Sequence, residues 1–328
     1  MKEHVPVPPE LIRFITSGSR FIIAGHKEPD GDCVGSQLAL CSALRRLGKT
    51  VIPCSSGPFK RTEVQRYEDQ FLSAPGEREK IGAQVIVLDC SMLSRLGDLA
   101  PHLEGLPLAI IDHHAAGEIF PSSPELPVFL DPHAPSSTFM VFSLIEALGL
   151  SVSKEEADLL LLGLCTDTGF FRHLDEGGAE TFFIAAKMLQ SGASPKKEFQ
   201  AINGGKSLNS RILMGHILSR AESLYNGRLI FTYETLEDTR RFGLEGRDSD
   251  SLYQLLQSVA GMEAIVIVRE ETPDRCTVGL RSRDSLDVAA IAAAFGGGGH
   301  RNAAGASVAG TLSDVKEMVI KSFAADFD

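Results

Sequence analysis

Short, nearly continuous apolar segments alternate with longer segments of helical spacing over the first half of the chain. The apolar segments have the length of buried strands, and they are Phe21–Gly25, Val51–Cys54, Val85–Leu88 and Leu108–Ile111, with Val128–Leu130 expected as an edge strand. Helical spacing predicts helices over Pro8–Ser17, Val34–Leu47, a segment from Ser136 or Ser137 to about Leu148, Lys154–Leu164 and Ala179–Leu189. The alternation predicts an α/β fold whose parallel sheet is covered by helices on both faces.

The pattern changes after residue 191. Ser191–Pro195 interrupts the helical spacing, and a polar helical stretch then continues to about Leu224. Further along, the predicted strands are Leu229–Tyr233, Ala264–Val268 and Arg275–Arg281, and the predicted helices are Ser251–Val259 and Val288–Phe295. These features predict an N-terminal domain over residues 1–191, a linker with a connecting helix over 192–226, and a smaller C-terminal α/β domain over 227–328.

Composition narrows the class of protein. The chain is long enough for two domains, and its hydrophobic content of 43% is that of a globular protein. No apolar run reaches the roughly 18 residues that a membrane-spanning helix needs, and the N-terminus lacks a signal-peptide core, so we expect a cytoplasmic protein. None of the six cysteines forms a Cys-x-x-Cys pair, which favours buried, reduced thiols.

The net charge of −11 argues against sequence-independent binding to long nucleic acids, because their phosphates attract basic surfaces. A small anionic substrate stays open. Divalent cations held by several carboxylates would invert the local field and admit a phosphate.

Acids and histidines follow four of the apolar segments. In chain order they are His26, Asp30 and Asp32 after Phe21–Gly25, Asp89 after Val85–Leu88, Asp112, His113 and His114 after Leu108–Ile111, and Asp167 after Leu159–Thr166. Asp30 and Asp32 are expected to point the same way along an extended segment. Because ligands bind beyond the carboxyl ends of parallel strands, we expect one shared site. Its mixture of imidazole nitrogen and carboxylate oxygen suits Mn²⁺ best, with Mg²⁺, iron or Co²⁺ open.

A run of four glycines, Gly296–Gly299, precedes His300 near the C-terminus. Such a run costs backbone entropy, and its bare N–H groups are suited to an anion-binding loop. Arg281, Arg283 and Arg301 would supply the charge for a phosphate clamp. From these residues alone, a flexible turn with solvated arginines is an equally good interpretation.

The ordered motifs resemble those of the DHH phosphoesterase superfamily. The N-terminal ones are His26-x-x-x-Asp30-Gly31-Asp32-x-x-Gly35-Ser36, Asp89, Asp112-His113-His114 and Asp167-Thr168-Gly169. Gly298-Gly299-His300-x-x-Ala303-Ala304-Gly305 resembles the signature of the DHH-associated C-terminal domain. The nano-RNase and pAp-phosphatase branch is the most similar, and the resemblance covers nearly the whole chain.

The resemblance implies two divalent cations, most often Mn²⁺, with Mg²⁺ or Co²⁺ as alternatives. It assigns His26, Asp30 and Asp89 to one cation, and Asp32, Asp89, His113 and Asp167 to the other. His114 would face the substrate as a catalytic proton donor or phosphate contact, while Asp112 either orients an imidazole or is structural. In the C-terminal domain, the residues assigned to substrate binding are Arg281, Gly298, Gly299, His300 and Arg301.

The implied activity is hydrolysis of short RNA or DNA oligonucleotides and linear dinucleotides to mononucleotides. Release of phosphate from adenosine 3′,5′-bisphosphate is a second implied activity. The alternatives are an exopolyphosphatase or pyrophosphatase on the same scaffold, and a catalytically silent nucleotide-binding sensor. A homodimer is open, because no stretch has the pattern of a dimer helix.

Overall fold

The computed structural model describes residues 4–114, 126–174, 178–283 and 286–327. The chain divides into two compact units, Met1–Gly205 and Lys206–Asp328. All residues predicted to bind metal belong to the first unit, and all residues predicted to bind substrate belong to the second.

The first unit contains a five-stranded parallel sheet with strand order β2-β1-β3-β4-β5. Its strands are β1 (Arg20–Gly25), β2 (Thr50–Cys54), β3 (Ala83–Leu88), β4 (Leu108–Asp112) and β5 (Val128–Leu130). Both faces of this sheet are buried. Alternate residues of β1 belong to different hydrophobic clusters, with Phe21 and Ile23 in the cluster on one face and Ile22 and Ala24 in the cluster on the other. The predicted α/β class and parallel sheet are confirmed.

Nine helices of the described chain belong to the first unit. They are α1 (Pro9–Ser17), α2 (Gly31–Arg46), α3 (Thr62–Gln65), α4 (Glu77–Lys80), α5 (Ala100–Leu103), α6 (Ser137–Ala147), α7 (Lys154–Asp167), α8 (Ala179–Gln190) and α9 (Pro195–Asn203). Two glycines bring α2 and α7 close together. A Cβ at Gly35 would lie 2.4 Å from the Leu159 carbonyl oxygen, and one at Gly163 would lie 2.8 Å from the Asp32 Cα. This close approach seats Asp32 against α7.

Two details of the predicted site geometry were wrong. Asp167 does not follow a strand, because it is the last residue of helix α7. Asp30 and Asp32 are not in an extended segment, because Asp30 caps α2 and Asp32 lies in its first turn. The Asp30 carboxylate accepts hydrogen bonds from the backbone N–H groups of Asp32 and Cys33, which starts the helix earlier than the apolar spacing suggests.

The second unit contains a six-stranded mixed sheet with strand order β10-β11-β9-β8-β7-β6. Its strands are β6 (Glu222–Leu224), β7 (Leu229–Glu234), β8 (Ala264–Thr272), β9 (Arg275–Ser282), β10 (Gly298–His300) and β11 (Ala303–Ala309). The predicted glycine loop is therefore partly a strand, since Gly298–His300 pairs with Ala303–Gly305. The N–H groups of Gly296 and Gly297 donate to carbonyls of the preceding helix, so they do not form an open anion-binding loop.

Helices cover both faces of this second sheet. The helices of the unit are α10 (Leu208–Ser219), α11 (Leu236–Phe242), α12 (Ser249–Gln257), α13 (Val288–Ala294), α14 (Leu312–Ser322) and α15 (Ala324–Phe327). The last three pack on the face that carries Phe231, Val266 and Leu280. Residues of α10, α11 and α12 pack on the opposite face, over Ile230, Ile265 and Ile267.

Two expectations from composition can be compared with the structure. All six cysteines are buried and unpaired. Among the described residues, no helix combines the length and hydrophobicity needed to cross a bilayer.

Candidate metal centre and substrate surface

His26 follows strand β1 and is almost fully buried. Its Nδ1 atom donates to the carbonyl oxygen of Lys27 at 2.8 Å, which fixes the tautomer and the ring orientation. The Nε2 atom then faces Asp89 Oδ2 at 3.3 Å and Asp30 Oδ1 at 3.8 Å. Burial alone would lower the pKa of His26, but the neighbouring Cys33, Asp30 and Asp89 raise it far above its usual range.

The carboxylate of Asp32 is completely buried and is held by the first turn of α6. It accepts hydrogen bonds from the backbone N–H groups of Ser137 (2.6 Å) and Thr138 (2.8 Å) and from the Thr138 hydroxyl (2.7 Å). Burial raises the pKa of Asp32 well above its usual range, and the nearby carboxylates of Asp89 and Asp167 raise it further. The N-terminus of α6 therefore holds the Asp32 carboxylate in place, although burial and the carboxylates of Asp89 and Asp167 disfavour its charged form.

Asp89 is at the centre of the cluster. It follows strand β3 with a φ of 61°, a left-handed conformation that is costly outside glycine. One carboxylate oxygen accepts a hydrogen bond from the Ser137 hydroxyl at 3.0 Å, and the other faces His26. Burial would raise the pKa of Asp89, but the imidazoles of His113 and His26 hold it well below its usual range.

His113 lies between three carboxylates. Its Nδ1 atom donates to the Ala134 carbonyl oxygen at 3.3 Å. Its Nε2 atom faces Asp167 Oδ2 (3.0 Å), Asp89 Oδ1 (3.5 Å) and Asp32 Oδ2 (3.8 Å). Burial lowers the pKa of His113, but the carboxylates of Asp167 and Asp89 raise it to about 11.

These donors fit divalent cations. The buried Nε2 atom of His113 has no well-aligned hydrogen-bond partner among the described residues, although three carboxylates surround it. Three groups bring their ligand atoms within 4.8 Å of one another: His26 with Cys33 and Asp89, Asp89 with His113 and His114, and Asp32 with His113 and Asp167. Such a concentration of buried acids around two oriented imidazoles needs positive charge to balance it.

Cys33 is the member of this cluster that sequence reasoning missed. Its thiol is fully buried beside His26 and Asp89, and burial raises its pKa to about 11. The available signal was its position directly after Asp32. Without knowing that a helix begins at Gly31, that position did not indicate which way the thiol points.

His114 is the most exposed member of the cluster, with 43% of its side chain accessible. Its Nδ1 atom donates to Asp112 Oδ1 at 2.8 Å, and its backbone N–H donates to the same oxygen at 3.1 Å. Asp112 is fully buried at the end of β4. This acid therefore orients the ring and leaves the Nε2 edge of His114 available to a ligand.

In the second unit, strand pairing places two of the predicted substrate residues in one row. His300 pairs with Ala303, and Ala303 pairs with Arg281, so their side chains share one face of the sheet. The next row has glycine in these three strands, at Gly298, Gly305 and Gly279, and continues with Ile267 in β8. Tyr253 covers Gly279, so Gly298, Gly305 and Ala303 form a low surface beside His300 and Arg281.

Two other predicted substrate residues are placed differently. Gly299 pairs with Ala304 and thus belongs to the opposite face, where its φ of 146° requires glycine. Arg301 is exposed in the turn between β10 and β11, and its carbonyl oxygen accepts a hydrogen bond from the backbone N–H of Val288.

Comparison with known proteins covers almost the whole chain. Residues 20–164 match the family model described as "DHH family, N-terminal domain", and residues 226–325 match the "DHHA1 domain". The bifunctional oligoribonuclease and PAP phosphatase NrnA of Thermus thermophilus is 33% identical over 301 residues, covering 92% of this chain and 88% of that protein. NrnA of Bacillus subtilis is 28% identical, covering 91% and 92%.

The fold is also similar to that of a solved structure. An exopolyphosphatase-related protein from Bacteroides fragilis superposes with a TM-score of 0.78 at 24% identity, covering 95% of both chains. At this level of identity the likeness concerns the fold alone.

Proposed function

The chain belongs to the DHH family of phosphoesterases, and from this premise we propose that it hydrolyses short oligonucleotides and linear dinucleotides to mononucleotides. Removal of a phosphate from adenosine 3′,5′-bisphosphate is proposed as its second activity. The observation that supports the proposal most is a cluster in which two imidazoles face Asp89 and three further carboxylates face the same imidazoles. The chain is also similar over nine-tenths of its length to enzymes named for both activities.

The proposed cofactor is a pair of divalent cations, with Mn²⁺ preferred because the donors combine imidazole nitrogen and carboxylate oxygen. His26, Asp30 and Asp89 would hold the first, and Asp32, Asp89, His113 and Asp167 the second. When bound, such a pair neutralises phosphoryl oxygens and lowers the pKa of water at the reacting phosphate.

The protein's own contribution is to keep these donors in place. The Lys27 and Ala134 carbonyls orient the two imidazoles so that both Nε2 atoms face Asp89. The first turn of α6 fixes Asp32, and the Ser137 hydroxyl fixes Asp89. A site whose ligands are already oriented loses less free energy when it binds its cations and its substrate.

His114 is proposed to donate the proton that the leaving oxygen needs. Its ring is oriented by Asp112 through Nδ1, and its side chain is partly exposed, so we expect a substrate to meet the Nε2 edge. General acid catalysis of this kind typically contributes about 10²–10⁴-fold to the rate.

In the second unit, Arg281, Gly298, Gly299, His300 and Arg301 are proposed to bind the terminal phosphate and its nucleoside. Residues 1–191 would then be the catalytic domain, 192–226 the connection, and 227–328 the substrate-binding domain. The low surface of Gly298, Gly305 and Ala303 leaves room for a planar group beside Arg281 and His300.

The test is product release from four substrates in the presence of Mn²⁺: a 5′-phosphorylated dinucleotide, a seven-nucleotide RNA, adenosine 3′,5′-bisphosphate and pyrophosphate. We expect fast mononucleotide release from the dinucleotide and slow cleavage of the longer RNA. Turnover of pyrophosphate alone would contradict the nucleotide assignment. Binding of all four without turnover would instead support a nucleotide sensor.

A further inference from the structure

The guanidinium group of Arg281 lies on an aromatic ring. Its Cζ atom is 4.4 Å from the centroid of the Tyr253 ring. Arg281 is in β9 and Tyr253 is in α12. Helix α12 packs on the face of the second sheet to which the Arg281 side chain points. Tyr253 is only 5% exposed, whereas Arg281 remains partly exposed. The ring therefore forms a buried support beneath a cation that solvent can reach.

A glycine in the same strand makes room for this ring. Gly279 is two residues before Arg281, so both face α12. A Cβ at Gly279 would lie 2.2 Å from the Tyr253 hydroxyl oxygen. Any larger residue would therefore clash with the hydroxyl and force the Tyr253 ring to move. Tyr253 thus depends on Gly279 for its position next to Arg281.

The ring face of Tyr253, and not its hydroxyl group, makes the contact with Arg281. Burial raises the pKa of the phenol, and Arg269 beside the hydroxyl lowers it, but the hydroxyl forms no well-aligned hydrogen bond among the described residues. Volume-conserving aliphatic replacements are usually tolerated in a core, so packing alone does not require an aromatic residue here. The contact that only an aromatic residue provides here is the electron-rich ring face beneath the Arg281 guanidinium.

The charge of Arg281 is not neutralised within the described part of the chain. Its guanidinium donates to the Leu280 carbonyl oxygen at 2.9 Å, and no carboxylate of the described residues forms an ion pair with it. Arg247 and Arg269, in the same unit, both pair with the buried Glu234. The Arg281 guanidinium thus rests on the Tyr253 ring and keeps N–H donors available for a ligand. It lies in the same row of the sheet as His300.

We propose that Tyr253 is a positioning residue: it holds Arg281 in the orientation that binds an anionic group of the substrate, most directly a terminal phosphate. This inference rests on the proposed function. Without the ring, the long arginine side chain would sample several rotamers, and ordering it on binding would weaken the complex. The metal-binding residues lie in the other unit, so loss of the ring affects substrate affinity and not the chemical step.

The experiment compares Tyr253→Leu and Tyr253→Met, which remove the ring, with Tyr253→Phe, which keeps it. With a 5′-phosphorylated dinucleotide, KM should rise about tenfold in both ring-less variants while kcat changes less than about twofold. Tyr253→Phe should retain the KM of the native protein. Tyr233→Leu is the matched control, because it removes another arginine–ring contact, that with Arg220, away from this row.

A double-mutant cycle separates positioning from general packing. If Tyr253 acts through Arg281, then Tyr253→Leu should not raise KM further in an Arg281→Gln background. A native KM in the ring-less variants, an equal KM increase in the Arg281→Gln background, or failure of Tyr253→Phe to retain KM would each overturn the inference. Calorimetry of the same dinucleotide with metal-free protein compares the dissociation constants of the same variants without requiring hydrolysis. If the protein hydrolyses no dinucleotide, that result contradicts the proposed function, and the binding data still test the role of Tyr253.

Discussion

The proposed binding of a cation at His113 would require the imidazole to lose a proton that its surroundings hold strongly. Burial opposes the charge, but the carboxylates of Asp167 and Asp89 raise the pKa of His113 to about 11 in the metal-free protein. At about pH 7.5, removing this proton costs roughly 5 kcal/mol, at about 1.4 kcal/mol for each unit between the pH and the pKa. His26, whose pKa is also raised, adds a second proton of the same kind.

The expected result is proton release coupled to metal binding. Below the raised pKa, each imidazole that becomes a ligand releases one proton, so metal affinity should rise about tenfold per pH unit for each proton released. An imidazole with an ordinary pKa near 6.5 would already be mostly neutral at about pH 7.5 and would release almost none. The two cases therefore differ clearly between about pH 7 and pH 8.

The assay is isothermal titration of metal-stripped protein with Mn²⁺ in two buffers of different ionisation enthalpy, repeated across this pH range. The difference in heat between buffers gives the number of protons released. His133→Gln is a suitable control, because this exposed imidazole is not among the groups that bring ligand atoms together. Affinity that is independent of pH, with no proton release, would refute the electrostatic argument for the site.

Three further predictions concern packing, catalysis and substrate length. Gly163→Ala should lower the free energy of unfolding in urea by about 1–3 kcal/mol, because the new Cβ would lie 2.4 Å from Thr138 and 2.8 Å from the Asp32 Cα. Gly215→Ala in helix α10 is the control and should not destabilise the protein, because its Cβ would meet nothing within 4 Å. His114→Ala should lower kcat by about 10²-fold or more with bound metal unchanged, and loss of metal on this substitution would contradict its proposed role. Because the net charge is −11, affinity for a seven-nucleotide RNA should depend on salt less steeply than that of a basic nuclease, and a steep salt dependence would indicate an undetected extended binding surface.

The parallel sheet of the first unit could be predicted from sequence because its strands are almost uniformly apolar. The helix over Lys154–Leu164 could be predicted as well, but its continuation to Asp167 could not, because the apolar spacing ends at Cys165. Asp167 is the last residue of α7, whose close approach to α2 depends on Gly35 and Gly163.

The features that could not be predicted from sequence depend on contacts between residues far apart in the chain. Gly298–His300 has little intrinsic strand preference, and only its pairing with Ala303–Gly305 makes it a strand. The contact between Tyr253 and Arg281 joins residues far apart in the chain, and nothing in helical spacing distinguishes this tyrosine from an ordinary core residue. The clustering of the acids and histidines in the first unit was therefore predictable from sequence, whereas the residues that orient them depend on tertiary packing.

Asp89 is proposed to link two groups of metal ligands in a phosphodiesterase site. The most direct measurement is mononucleotide release from a 5′-phosphorylated dinucleotide by metal-stripped protein, before and after addition of Mn²⁺, for the native chain and for Asp89→Asn. We expect release only after Mn²⁺ is added to the native chain, and a loss of at least about 10³-fold in the variant. Undiminished release by Asp89→Asn, or release without any divalent cation, would contradict it.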